Sequence, residues 1–186
     1  MLGRCYWCVK SEQRGMGGLM NFSHVVIVMG VAGTGKSIIG ALLAEKVGVP
    51  YAEGDDLHPA ANVAKMASGV PLSDEDRWPW LDLVGEWARG RAGSGGVVTC
   101  SALRRVYRDR LREAAPGVAF VHLAGERALI EGRMRERGGH FMPVALLDSQ
   151  FALLEGLGED EAGVTVGVEG SPGEIVERAV GALREC

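Results

Sequence analysis

The eight residues Gly30-Val-Ala-Gly-Thr-Gly-Lys-Ser37 constrain this chain more than any others. They satisfy G-x-x-x-x-G-K-[ST] in full, follow the apolar run VVIVM and open the helical pattern KSIIGALLAEKVG. A strand that turns through glycines into a helix is the phosphate-loop unit. Gly30, Gly33 and Gly35 let successive backbone N–H groups, that of Thr34 among them, converge on an anion. The helix N-terminus adds positive dipole at the same point. Lys36 is spaced to reach the β- and γ-phosphates of a nucleotide, and Ser37 to ligate Mg²⁺.

The rest of the chain repeats this alternation. Short β-branched runs (VPYAEGD, GVVTCS, GVAFVHL, GVTVGV) are separated by longer helical patterns, and residues 186 in number suffice for one well-buried core. The expected fold is therefore α/β: a P-loop domain with a five-stranded parallel sheet and helices on both faces. It should occupy residues 21–186 as one domain. Residues 1–20 read as a disordered extension. Cys5-Tyr-Trp-Cys8 within it has the spacing of a redox dithiol or half a zinc site, but no second Cys or His pair follows to complete one.

Composition excludes several classes. A net charge of −4 gives no overall field to capture nucleic acid or an acidic membrane surface. No apolar stretch approaches the roughly 20 residues of a bilayer span. The first residues lack a secretory h-region, so the cytoplasm is the expected compartment. A GTPase switch also fits poorly: N-K-x-D is absent, and the D-x-x-G of Asp82 to Gly85 falls within a helical pattern.

The third strand ends in Cys100-Ser101, where a standard Walker-B acid would stand. The acids of Glu53-Gly-Asp55-Asp56-Leu-His58 leave the second strand instead, at the edge where ligands gather in a doubly wound sheet. One acid there can support Mg²⁺ through water, which makes Glu53 the metal candidate beside Ser37. Another, Asp55, can accept the proton of an attacking hydroxyl. Acids beside a phosphate loop thus point to phosphoryl transfer onto an alcohol. Asp56 and His58 also fit a plain capped turn.

Several motifs occur together in one order: GDDLHP, N-x-x-KM-x-x-G-x-PL, DEDRWPWL, CSAL followed by YRDRLR, and GHFMP with SQF. In this the chain resembles gluconokinases, small P-loop sugar-acid kinases related to shikimate kinase. The resemblance implies transfer of the γ-phosphate of ATP to the 6-hydroxyl of D-gluconate, with Mg²⁺ required, in a soluble and often homodimeric enzyme. It implies a substrate pocket in which Arg77 grips the carboxylate, with His58 and Arg104 beside it. It further implies a lid over about residues 126–156, bringing Arg127, Arg133 and Arg137 to the nucleotide, with Arg133 and Arg137 at the transferring phosphate and His140 in its loop. The GSPGEIV loop is expected over adenine. Trp78, Trp80 and Trp87 are expected to pack as core. The family usually has Asp where this chain has Glu53, and often threonine at Ile38. Two other readings share these residues: a kinase for another sugar acid or shikimate-like acceptor, and a nucleotide-binding regulator impaired by the Glu53 change.

Overall fold

A computed structural model of the chain describes residues 23–136 and 144–185. The five strands are β1 (Val25–Met29), β2 (Tyr51–Ala52), β3 (Gly96–Thr99), β4 (Ala119–Ala124) and β5 (Gly163–Gly167). They form one parallel sheet in the order β2-β3-β1-β4-β5. Among the described residues seven α-helices accompany them: α1 (Lys36–Val47), α2 (Ala60–Ala67), α3 (Asp74–Arg89), α4 (Arg105–Ala114), α5 (Arg127–Glu136), α6 (Val144–Leu153) and α7 (Pro172–Glu185). Cys5, Cys8, Arg137 and His140 lie outside the described residues.

Alternating side chains of the central strands supply the two faces of the sheet. Val26, Val28, Val121 and Leu123 pack with Leu43 of α1 and with Ile175, Ala179 and Leu183 of α7. Ile27, Met29, Val98 and Phe120 face the other way, onto Trp80, Leu81 and Val84 of α3 and Tyr107 and Leu111 of α4. A third cluster, Val31, Leu103, Ile130 and Leu147, packs α5 and α6 beneath the start of the phosphate loop. Because every strand runs the same way, the loops after β1, β2, β3 and β4 all emerge at one edge.

Local chemistry explains the boundaries. Gly48 ends α1 in the left-handed conformation (φ 71°), returning its N–H to the carbonyls of Ala44 and Glu45. Ser73 and Asp76 form a capping box at the start of α3. The expected second strand is cut to two residues, because the chain turns at Glu53 into a 3-10 helix over Gly54–Leu57. Gly54 crosses tightly under β3, donating its N–H to Thr99 Oγ1 at 2.9 Å. A Cβ at Gly54 would lie 1.8 Å from the Thr99 carbonyl oxygen, so only glycine fits there.

Two charged groups sit wholly inside. Arg108 of α4 and Glu161 are both 0% exposed in their side chains and pair at 2.7 Å. Arg108 also donates to the carbonyls of Glu155 and Gly156 at 3.0 and 2.9 Å, which satisfies a buried guanidinium that would otherwise be costly. Among the described residues no helix is long and apolar enough to cross a membrane.

Candidate active site

The phosphate loop connects β1 to α1 with Gly30, Gly33 and Gly35 all at positive φ (139°, 81° and 91°). At Gly30 a side chain would meet the Leu123 carbonyl oxygen at 2.7 Å, so β4 itself demands glycine. Thr34 is buried and spends its hydroxyl inside the loop, donating to the Val31 carbonyl at 2.8 Å. Lys36 folds back over the same turn, its ammonium 3.1 Å from the Val31 oxygen. Burial pushes the Lys36 pKa below its usual value, while the negative charges of Asp55 and Glu53 oppose that shift. The ammonium thus feels the acids of the turn after β2, at the same edge of the sheet.

Glu53 is the hub of those acids. Tyr51 donates its hydroxyl to Oε2 at 2.7 Å, and Thr99 donates to Oε1. Burial raises the carboxyl pKa, but hydrogen bonds from Thr99, Ser37 and Tyr51 outweigh it and hold the group below its ordinary value. Glu53 is thus kept ionised next to the Ser37 hydroxyl. Among the described residues no cluster of three or more His, Cys, Asp or Glu could hold a metal unaided. A hydroxyl and one ionised carboxylate are oxygen donors of the kind Mg²⁺ takes, and they suffice where phosphates and water supply the remaining ligands.

Asp55 projects from the 3-10 turn into solvent, and no hydrogen bond ties its carboxylate among the described residues. Its charge reaches Lys36, His58 and Tyr51. Trp80 anchors the turn beneath it, donating Nε1–H to the Gly54 carbonyl at 2.7 Å. The same indole stacks on His58, with ring centroids 4.2 Å apart and planes 16° from parallel. Burial and the Arg77 charge lower the His58 pKa against the pull of Asp55, so the ring is neutral at pH 7.

Arg77 and Arg104 come together across the ring of Tyr107, their guanidinium carbons 5.6 and 5.5 Å from its centroid. Asp74 holds both, lying 3.7 Å from Arg77 and 2.5 Å from Arg104, and it accepts the Tyr107 hydroxyl. Asp55, His58, Arg77 and Arg104 thus share the β2–β3 side of the sheet edge, linked through His58 to both Asp55 and Arg77. Asp56 is exposed. Trp80 is core, as expected, and Trp78 and Trp87 pack partly buried against the same cluster.

A cavity of about 290 Å³ is lined by Thr34, Gly35, Ile38, Arg133, Gly170 and Pro172, among others. Arg133 donates to the Val168 carbonyl at 2.7 Å, so it clamps the β5–α7 loop at this cavity. The expectation sets it at the transferring phosphate; in this structure the carbonyls of Val168 and Gly170 hold its guanidinium. Arg127 is engaged with acids, 2.8 Å from Glu131 and 2.5 Å from Asp148. The i,i+4 spacing that aligned these arginines also aligned Glu131, which pairs with Arg127 and Arg135.

Three contributors were not assigned roles by sequence reasoning. Asn62, buried on α2, donates to the Asp76 carbonyl at 2.7 Å and lies 3.3 Å from His58 Nδ1. Lys65 pairs with Asp76. Gln150 of α6 accepts the Ala32 N–H of the phosphate loop at 2.7 Å. All three stood in the motifs N-x-x-KM and SQF, but nothing in their spacing revealed what they touch.

No family model matches the chain. It is 46% identical over 157 residues to a gluconokinase of Gluconobacter oxydans, covering 83% of this chain and 88% of that protein. A crystal structure of a gluconokinase from Sinorhizobium meliloti superposes with a TM-score of 0.83 at 47% identity, covering 89% of this chain and 94% of that one. Shikimate kinase from Aquifex aeolicus superposes with a TM-score of 0.55 at 13% identity over 87% of this chain and 96% of that one, a likeness of fold alone. With a phosphate loop, an acid turn after β2 and relatives matched over most of their length, the chain belongs to the gluconokinase family.

Proposed function

We infer that the chain transfers the γ-phosphate of ATP to the 6-hydroxyl of D-gluconate, giving 6-phosphogluconate. What supports this is the match to gluconokinases over most of the chain, together with a phosphate loop and an acid-bearing turn after β2 that share one sheet edge, and the Arg77–Arg104 pair across Tyr107. ATP would seat its base in the cavity of Thr34, Gly35, Ile38 and Pro172, with Arg133 fixing the loop above it. Its phosphates would follow the loop amides of Gly30, Gly33 and Gly35 toward Lys36. Mg²⁺, when bound, would neutralise charge on the β- and γ-phosphates. Ser37 would reach it directly and Glu53 through water, the extra methylene of Glu53 being taken up by its Tyr51 and Thr99 hydrogen bonds.

Gluconate is a polyol with one carboxylate. Arg77 and Arg104 would bind that carboxylate in place of part of their contact with Asp74, and neutral His58 would bond a hydroxyl. Asp55 would take the proton of the 6-hydroxyl as its oxygen attacks phosphorus, and the ammonium of Lys36 would steady the charge passing to ADP. Residues 126–156 act as a lid in this reading, with Arg137 meeting the phosphoryl group as the family resemblance implies, and the enzyme works as a cytoplasmic homodimer. A coupled ADP-release assay over a panel of sugar acids and shikimate tests the assignment. Fastest turnover on gluconate supports it; preference for another acceptor, or ATP binding without turnover, refutes it.

A further inference from the structure

The first half of the phosphate loop is fastened to the helices on either side of residues 137–143. Val31 is 2% exposed and packs with Ile130 of α5 and Leu147 of α6. The backbone at Gly33 lies so close to α5 that an added Cβ would stand 2.7 Å from Met134 Cγ. Between these two contacts, the Ala32 N–H is bound by the side-chain oxygen of Gln150, at 2.7 Å. A side-chain amide bound to a phosphate-loop N–H from more than a hundred residues away is not a local turn device.

Its position along the loop gives it meaning. Thr34, Gly35, Ile38 and Ile39 line the cavity in which the proposed function seats the base, which makes the C-terminal half of the loop the base end in that reading. Lys36 is not among the residues lining that cavity and directs its ammonium at the Val31 carbonyl oxygen, 3.1 Å away. Val31 and Ala32 are accordingly the end of the loop that adjoins the terminal phosphate of a nucleoside triphosphate and the acceptor. A diphosphate would leave that end untouched.

Resting on the proposed transfer from ATP to gluconate, we propose that Gln150 is a positioning residue for phosphoryl transfer: by binding the Ala32 N–H it fixes the terminal-phosphate end of the loop to α6 and sets the line between γ-phosphate and acceptor. It acts through the loop, not on the phosphorus, and so its removal should separate turnover from nucleotide affinity. A terminal phosphate displaced by about 1 Å is enough to cost roughly a hundredfold in rate.

Gln150→Leu keeps a side chain of similar size without the amide. Expected are a fall in kcat of tenfold or more, an ADP dissociation constant within about twofold of the native value, and a KM for gluconate changed by less than about threefold. Amide hydrogen exchange at Ala32 in the nucleotide-free protein supplies a second readout, and it should accelerate at least tenfold in the variant while that of Ile39 does not. Native kcat would overturn the proposal, as would a loss of ADP affinity equal to the loss of turnover, which would mean general damage to the loop. Unchanged Ala32 exchange would overturn it as well.

Discussion

Replacing Gly54 by alanine tests the step from backbone packing to chemistry. The new Cβ would stand 1.8 Å from the Thr99 carbonyl oxygen, where 3.0 Å is the least that real Cβ atoms show, so the turn must withdraw by about 1 Å. That movement strains or breaks the Gly54 N–H bond to Thr99 Oγ1 and the Trp80 Nε1–H bond to the Gly54 oxygen. Each hydrogen bond is worth about 1 kcal/mol, and forced repacking adds to this, for a total of about 2–4 kcal/mol. Asp55 rides on the same turn, so a shift of about 1 Å in the base should lower kcat on the order of a hundredfold. Urea unfolding measures the first quantity and coupled ADP release the second. Native stability with native turnover would refute the claim that the crossing at Gly54 sets the position of the acids.

Arg77→Ala should raise the KM for gluconate by roughly 10- to 100-fold, the equivalent of about 1.5–3 kcal/mol for a charge-assisted bond, with little change in the KM for ATP; steady-state kinetics against each substrate checks it. Glu161→Gln leaves the buried Arg108 guanidinium without its counter-charge, and denaturant unfolding should show a loss of about 3–5 kcal/mol. His122 is buried on β4 with neither ring nitrogen hydrogen-bonded among the described residues, and burial, then the Arg108 charge, lowers its pKa. Its stabilising share is complete above the unfolded value of about 6.5 and is lost as pH falls below that, by up to about 1.4 kcal/mol per pH unit until the folded value is reached. Unfolding of His122→Leu measured between pH 7 and 5 should lack that share of the slope.

Much of the architecture was legible because it rests on short-range signals. The β-branched runs, the helical spacing of IIGALLAEKV and the glycines of the phosphate loop each report their own element, and Gly48 marks an end by its backbone geometry. The acids at 53 and 55 were placed correctly at the strand edge because a parallel sheet leaves no other place for them. The length of β2 was not legible: what ends it is the hydrogen bond from Gly54 to Thr99, a contact across 45 residues. The partners of Arg133 were not legible for a similar reason: the carbonyls of Val168 and Gly170 that hold its guanidinium belong to a distant loop. Gln150 and Asn62 sit in motifs whose partners are backbone atoms, and a side chain that bonds backbone leaves no complementary residue in the sequence to find.

The central claim is that Asp55, on the turn after β2, accepts the proton of the attacking hydroxyl. The most direct measurement is kcat for Asp55→Asn on gluconate, set beside its ATP dissociation constant. A loss of about 10²- to 10⁴-fold in kcat with ATP affinity within a few-fold of native is predicted. Turnover near the native rate, or equal losses in turnover and ATP affinity, would contradict it.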